Sequence, residues 1–259
     1  MPTADVNGHP IYFEDTGGDG PAVLFSHGFL MDHEMFAAQV AALAGEFRCI
    51  VWDERGFGKT PAGGPFTFWD SAADALALLT HLGVGQAVLS GMSQGGFISL
   101  RAALMDPERV KGLALIDTQA GTEDPDVLPG YEALNDEWMA NGPGAVQEVV
   151  AGLILGEGID PTPWYAKWAT ADREQFGLAF RCLADRDDVT GRLGEIRCPA
   201  IIFHGDCDQS IPIAKAELLR DGLAGCEGLV VVAGAPHAAN MSHPDQVNGP
   251  LREFLRRHA

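Results

Sequence analysis

Basic residues are scarce in this chain: 17 Lys and Arg stand against 36 Asp and Glu, for a formal charge of −19. So acidic a surface repels phosphate backbones and anionic lipid headgroups, and neither nucleic acid nor a membrane is expected as a partner. Cysteine is sparse and unpatterned. Cys49, Cys182, Cys198, Cys207 and Cys226 are odd in number and include no close CxxC pair, which argues against a zinc site and for reduced thiols. No apolar run is long enough to span a bilayer. The segment Met1 to Pro10 is polar and lacks the basic-then-apolar order of a secretory signal. Internal repeats and low-complexity tracts are missing too. A soluble, cytoplasmic protein is expected, with no metal and no cofactor, while homo-oligomerisation stays open.

What is present is a rhythm. Short apolar runs, Ile11 to Glu14, Ala22 to Ser26, Arg48 to Trp52, Ala87 to Ser90, Val110 to Ile116, Ala200 to His204 and Leu229 to Val232, alternate with segments of helical character. The helices are expected at Glu34 to Ala44, Phe68 to Leu82, Ser93 to Met105, Ile213 to Leu223 and Pro244 to Arg257, where Ala and Leu recur at helical spacing. Alternation of this kind predicts an α/β fold, a mostly parallel doubly wound sheet covered on both faces. The rhythm breaks from about Gly121 to Glu195, a stretch with turn-rich segments at Asp124 to Gly130 and Gly156 to Pro163 and with Trp138, Trp164 and Trp168. A helical cap inserted at 121–195 into a core of 1–120 and 196–259 is the expected domain organisation.

The chemistry centres on Gly91-Met92-Ser93-Gln94-Gly95, which follows a strand run and opens a helix. In that context the glycines allow a tight, strained turn that projects the Ser93 hydroxyl above the sheet as a nucleophile. The helix start then places the Gln94 backbone N–H where an oxyanion would form. A serine hydroxyl needs a base and a group to orient that base. His237, in the loop after the last apolar run, is the candidate base; His243, before Pro244, reads as a helix-start residue. For the acid, Asp208 in His204-Gly205-Asp206-Cys207-Asp208 is favoured because it lies deeper in its loop, with Asp206 and Asp117 as alternatives that read better as turn caps. Gly28 lets the backbone bend so that the Phe29 N–H supplies the second oxyanion donor. His27 reads as a loop brace, and Asp53 to Thr60, which lacks the P-loop pattern, as a loop braced by its Arg and carboxylates.

Taken in chain order, His27-Gly28-Phe29, Asp53 to Thr60, the turn at Ser93, the His204 to Asp208 segment and Pro236-His237 resemble the α/β-hydrolase fold superfamily over nearly the whole chain. The nearest likeness is to its capped branch of cofactor-free haloperoxidase-like esterases, enol-lactonases and carbon–carbon bond hydrolases. The resemblance implies a triad of Ser93, Asp208 and His237, an oxyanion hole of Phe29 and Gln94, and a lid near 121–195. Ser93 stands where dehalogenases and epoxide hydrolases of this superfamily carry aspartate, which argues against both. The expected activity is cleavage of a carboxylic ester or lactone in a small to medium, largely apolar small-molecule substrate. Met92, Trp138, Trp164 and Trp168 are the expected pocket residues. Carbon–carbon bond hydrolysis of a diketone-like ring-cleavage product, cofactor-free perhydrolysis, and small-molecule binding on a hydrolase scaffold are the alternatives.

Overall fold

The computed structural model describes residues 3–259; Met1 and Pro2, at the start of the polar N-terminal segment, lie outside the described residues. Eight strands form one sheet: β1 Thr3–Val6, β2 His9–Asp15, β3 Ala22–Ser26, β4 Arg48–Trp52, β5 Ala87–Met92, β6 Val110–Ile116, β7 Ala200–Gly205 and β8 Cys226–Val232. Their order is β1-β2-β4-β3-β5-β6-β7-β8. The β1-β2-β4 edge is antiparallel, and every pairing from β4 through β3 to β8 is parallel. Residues of β3, β5 and β7 are buried throughout, which is why these strands read as unbroken apolar runs instead of alternating with polar residues.

Successive side chains of a strand leave opposite faces of the sheet, and each face has its own core. On one side Leu24, Leu89, Leu113 and Ile202 share a core with residues of α2 (Phe68–His81) and α3 (Gln94–Met105). On the other, Val23, Phe25, Val88 and Phe203 meet residues of α1 (Ala37–Leu43) and, from the far end of the chain, of α10 (Pro244–His258). α2 opens on a capping box in which the Thr67 hydroxyl accepts the Asp70 N–H and the Asp70 carboxylate accepts the Thr67 N–H, so its start is fixed by side chains. Between β6 and β7 the chain leaves the sheet and forms α4 (Leu128–Asn141), α5 (Gln147–Ile154), α6 (Thr162–Thr170) and α7 (Arg173–Ala184). It returns through β7, α8 (Ile213–Gly222), β8 and the short α9 (Ala239–Ser242). Among the described residues no helix is long and apolar enough to cross a membrane.

Three elements differ from their sequence expectation. β1 has only Ala4 and Val6 buried, at period two, so four residues leave too little apolar pattern to signal a strand. The segment expected as one helix from Glu34 begins as a 3₁₀ turn over His33–Phe36, capped by Asp32, which accepts the Glu34 N–H. β8 starts at Cys226, because an edge strand exposed on one side tolerates the Glu227 and Gly228 that hide its pattern. The carboxyl ends of the parallel strands carry the loops of His27, Ser93, Asp117, Asp208 and His237 to a common edge, where open α/β sheets bind their ligands.

Candidate active site

Ser93 joins β5 to α3 with φ +51° and ψ −114°. A serine with positive φ stores strain that its surroundings must hold. The Ser93 N–H donates to the Ile116 carbonyl at 2.9 Å, and the Ser93 carbonyl accepts the Thr118 hydroxyl at 2.7 Å. The neighbouring glycines are a steric necessity. A Cβ on Gly91 would collide with the Gly95 carbonyl, and one on Gly95 with the Ser26 carbonyl, so the turn closes only with bare backbone at both positions. The Gln94 side chain donates to the buried Glu54 carboxylate, leaving its backbone N–H as the group at the first turn of α3.

His237 follows β8 and is buried. Its Nδ1 lies 2.8 Å from Asp208 Oδ2. A carboxylate only accepts, so Nδ1 carries the proton and Nε2 is the lone-pair nitrogen. Asp208 Oδ1 in turn accepts the Ser210 and Ile211 N–H groups, at 2.8 and 3.0 Å. Burial works against the charge on Asp208, but the facing imidazole and these amides outweigh it and hold the carboxyl below its usual range. For His237 the balance is similar: burial lowers its pKa, and the charge and hydrogen bond of Asp208 overcome that and raise it.

The two other acids have different partners. Asp206 Oδ1 accepts the Gly234 N–H at 2.6 Å and ties two exposed turns together. Asp117, fully buried at φ +45°, accepts the Gly205 N–H through Oδ1 at 2.8 Å and the Ala239 N–H through Oδ2 at 3.0 Å. Burial pushes its carboxyl up to about 8, with the Asp208 charge adding to the rise and His237 opposing it. Of the three, Asp208 is the one brought to the His237 ring.

Ser93 and His237 open into one cavity of about 100 Å³, walled largely by apolar side chains that include Phe29, Met92, Trp138 and Phe176. Gly28 and Phe29 stand at its rim beside Ser93, and a Cβ on Gly28 would press on Met92 Sδ. Trp164 and Trp168 do not reach the cavity, contrary to expectation. Trp168 turns its Nε1 to the Leu30 carbonyl at 2.7 Å and packs edge-on against Trp138, and Trp164 lies under the Lys167 ammonium, so both form the layer behind the wall. Met92 and Trp138 do line it. Glu123, Tyr131 and Ser210 also line the wall, and the sequence reading missed them. Glu123 sits in the irregular stretch before α4 and Tyr131 near the start of that helix, just past the turn-rich Asp124 to Gly130 that hides its phase; Ser210, two residues beyond Asp208, had a positional signal.

His27 braces its loop, as expected: Nδ1 bonds the Gly28 carbonyl, Nε2 accepts the Glu54 N–H at 3.0 Å, and burial lowers its pKa so that the ring is neutral. The Asp53 to Thr60 loop is likewise stapled. Asp53 accepts the His33 Nδ1–H and the backbone N–H groups of His33 and Lys59, while Arg55 pairs with the buried Asp74. Two clusters of the described residues, Asp32–His33–Asp53 and Asp117–His204–Asp208, gather atoms of metal-ligand type. Lys167 on Asp32, His33 on Asp53, backbone amides on Asp117 and His237 on Asp208 already engage those carboxylates as loop braces.

Residues 21–244 match the alpha/beta hydrolase fold family. A provisionally named non-heme chloroperoxidase of Synechocystis sp. is 31% identical, over 95% of this chain and 95% of its own length. Among solved structures, a thermophilic esterase from Thermogutta terrifontis is 30% identical with a TM-score of 0.89, covering 99% of this chain and 98% of its own. The enol-lactonase of Burkholderia xenovorans LB400 is 26% identical with a TM-score of 0.90, covering 98% of this chain and 100% of its own. Together with the eight-stranded sheet, these likenesses make the chain a member of the α/β-hydrolase fold family and a hydrolase.

Proposed function

We propose that this hydrolase cleaves carboxylic esters or lactones of small to medium, largely apolar substrates through an acyl-enzyme on Ser93. One observation carries the reading: a strained serine at a helix start shares a cavity with a histidine whose far nitrogen is held by a buried carboxylate. His237 Nε2 takes the Ser93 proton as Oγ attacks the carbonyl, and Asp208 orients the ring and stabilises the imidazolium. The negative charge that develops on the carbonyl oxygen is received by the backbone N–H groups of Phe29 and Gln94 and by the positive end of α3. His237 then gives its proton to the leaving oxygen, and a water deprotonated by the same ring releases the acid.

Helices α4 to α7 serve as the lid that supplies the apolar wall and keeps bulk water from the acyl-enzyme. The names of the relatives support the ester and lactone reading: an esterase and an enol-lactonase share this fold over nearly its full length. Hydrolysis of p-nitrophenyl butyrate by the wild type and by Ser93→Ala, with the mass of the intact protein followed during turnover, tests the proposal. A butyryl adduct on the wild type and loss of activity in the variant are expected; undiminished turnover by Ser93→Ala would overturn it.

A further inference from the structure

The cavity wall carries a few polar side chains besides Ser93 and His237. Ser210 and Ile211 come from the Asp208 loop, and Glu123 and Tyr131, from before and within α4, share the wall with them. Tyr131 shares this wall with Ser210, whose hydroxyl donates to the Leu153 carbonyl at 2.9 Å, and with Glu123; burial and the Glu123 charge push the phenol up to about 12, so it remains a neutral O–H. Glu123 is close enough to His237 to act on the ring electrostatically. Its carboxylate is held from behind. The buried Arg186 donates Nη2–H to Glu123 Oε1 at 2.8 Å, spends Nε–H and Nη1–H on the Gly121 and Leu183 carbonyls, and stacks 4.5 Å from the Phe97 ring.

Position assigns this corner to the departing group. In acyl transfer the base that took the serine proton delivers it to the leaving oxygen, so the leaving group lies against His237. The chemistry of the corner then selects among leaving groups. A carboxylate would meet Glu123 at low dielectric. A cation is not called for, because Arg186 already neutralises Glu123. A plain alkyl group would strip water from the carboxylate and the phenol without replacing its hydrogen bonds. An alcohol hydroxyl donates to Glu123 and accepts from Tyr131, satisfying both.

We propose that the Glu123–Tyr131 corner receives the leaving alcohol and selects one that carries a further hydroxyl, making monoacyl esters of a polyol the preferred substrates. The inference rests on the ester reading above. In the acylation step the Ser93 Oγ–carbonyl bond forms and the carbonyl–alkoxy bond breaks; the serine proton passes through His237 to the alkoxy oxygen, and the free polyol leaves. Water later takes the acyl group as the free acid.

The test compares 1-butyrylglycerol with propyl butyrate, which form the same butyryl-enzyme and differ only in the alcohol. Release of butyric acid, followed by pH-stat, gives kcat/KM for each. The wild type should favour the glycerol ester by about tenfold, equivalent to about 1.4 kcal/mol. Tyr131→Phe and Glu123→Gln should each bring the ratio to within about twofold of unity, whatever their absolute rates, because general damage lowers both esters together and leaves the ratio intact. A wild-type ratio near one, or a tenfold preference that survives in both variants, overturns the proposal. Turnover of p-nitrophenyl butyrate without preference for the glycerol ester defeats this inference alone; no turnover of any of the three esters defeats the ester reading and this inference with it.

Discussion

Asp208→Asn is the substitution whose consequence the geometry defines most closely. Asp208 uses one oxygen for the Ser210 and Ile211 amides and the other for His237 Nδ1. In the variant the amide oxygen keeps the two backbone N–H groups, which can only donate, and the NH₂ is therefore left facing the histidine. Nδ1 must then accept, the ring proton moves to Nε2, and the nitrogen that takes the Ser93 proton in the proposed mechanism already carries one. The tautomer is wrong while the shape is nearly unchanged. Where this change has been made in a Ser-His-Asp enzyme, kcat falls by about 10⁴, equivalent to about 5.5 kcal/mol of transition-state stabilisation.

The expected result is a loss of about 10³ to 10⁴ in kcat for p-nitrophenyl butyrate, with KM changed by less than about threefold. Because the Asp208 side chain is buried, folding is checked in parallel by urea unfolding, whose slope should be unchanged. Asp206→Asn is the control, since that carboxylate bonds the exposed Gly234 amide and not the ring. An Asp208→Asn enzyme that keeps more than a tenth of wild-type kcat, or that is no worse than Asp206→Asn, would refute the assignment of the acid.

Three further outcomes follow from the same geometry. The Asp208 charge raises the His237 pKa, and the proposed mechanism needs the ring neutral; kcat/KM should therefore fall as pH drops through a midpoint above the ordinary histidine value of about 6.5. A midpoint below 6 in the pH profile would contradict this. Asp117 is raised from 3.8 to about 8, so between those values the native state holds a proton that the unfolded chain has released. Stability should decline as pH rises through that window, by up to about 1.4 kcal/mol per unit, and urea unfolding of Asp117→Asn should show a shallower decline. Gly95→Ala drives a methyl into the Ser26 carbonyl; the expected result is a lower thermal midpoint together with loss of p-nitrophenyl butyrate turnover, and a variant with wild-type values for both would show that the turn is not closely packed.

How far the sequence could be read depended on where a residue's partners lie. The parallel strands were legible because burial on both faces demands a continuous apolar run, as in Val88-Leu89 and Ile201-Ile202-Phe203. The turn at Ser93 was legible because backbone contact excludes any Cβ on its flanking glycines, a local constraint that leaves a local signature. β1 was not, since a four-residue edge strand with two buried side chains has no pattern longer than chance. Trp164 and Trp168 went wrong for a related reason. Large aromatic residues between β6 and β7 announce burial but not direction, and the bonds that turn them from the cavity, such as Trp168 Nε1 to the Leu30 carbonyl, cross 138 positions of chain. Glu123 was hidden in the same way, because what gives it meaning is an arginine 63 residues downstream.

Asp117 shows how the rival for a role can be the support of that role. It lies at the end of β6, at the same sheet edge as Asp208, and by strand position alone either carboxylate could serve His237. What separates them is the direction of the bonds. Asp117 uses one oxygen on Gly205, the last residue of the strand leading to Asp208, and the other on Ala239, two residues beyond His237. It is thus a bridge between the two loops whose side chains must meet at 2.8 Å. The positive φ at Asp117 and at Ser93, on the ends of the adjacent strands β6 and β5, places strained backbone on both sides of the hydrogen bond from the Ser93 amide to the Ile116 carbonyl. Strain at the serine is therefore held by the same strand end that, one residue later, fixes the distance between histidine and acid.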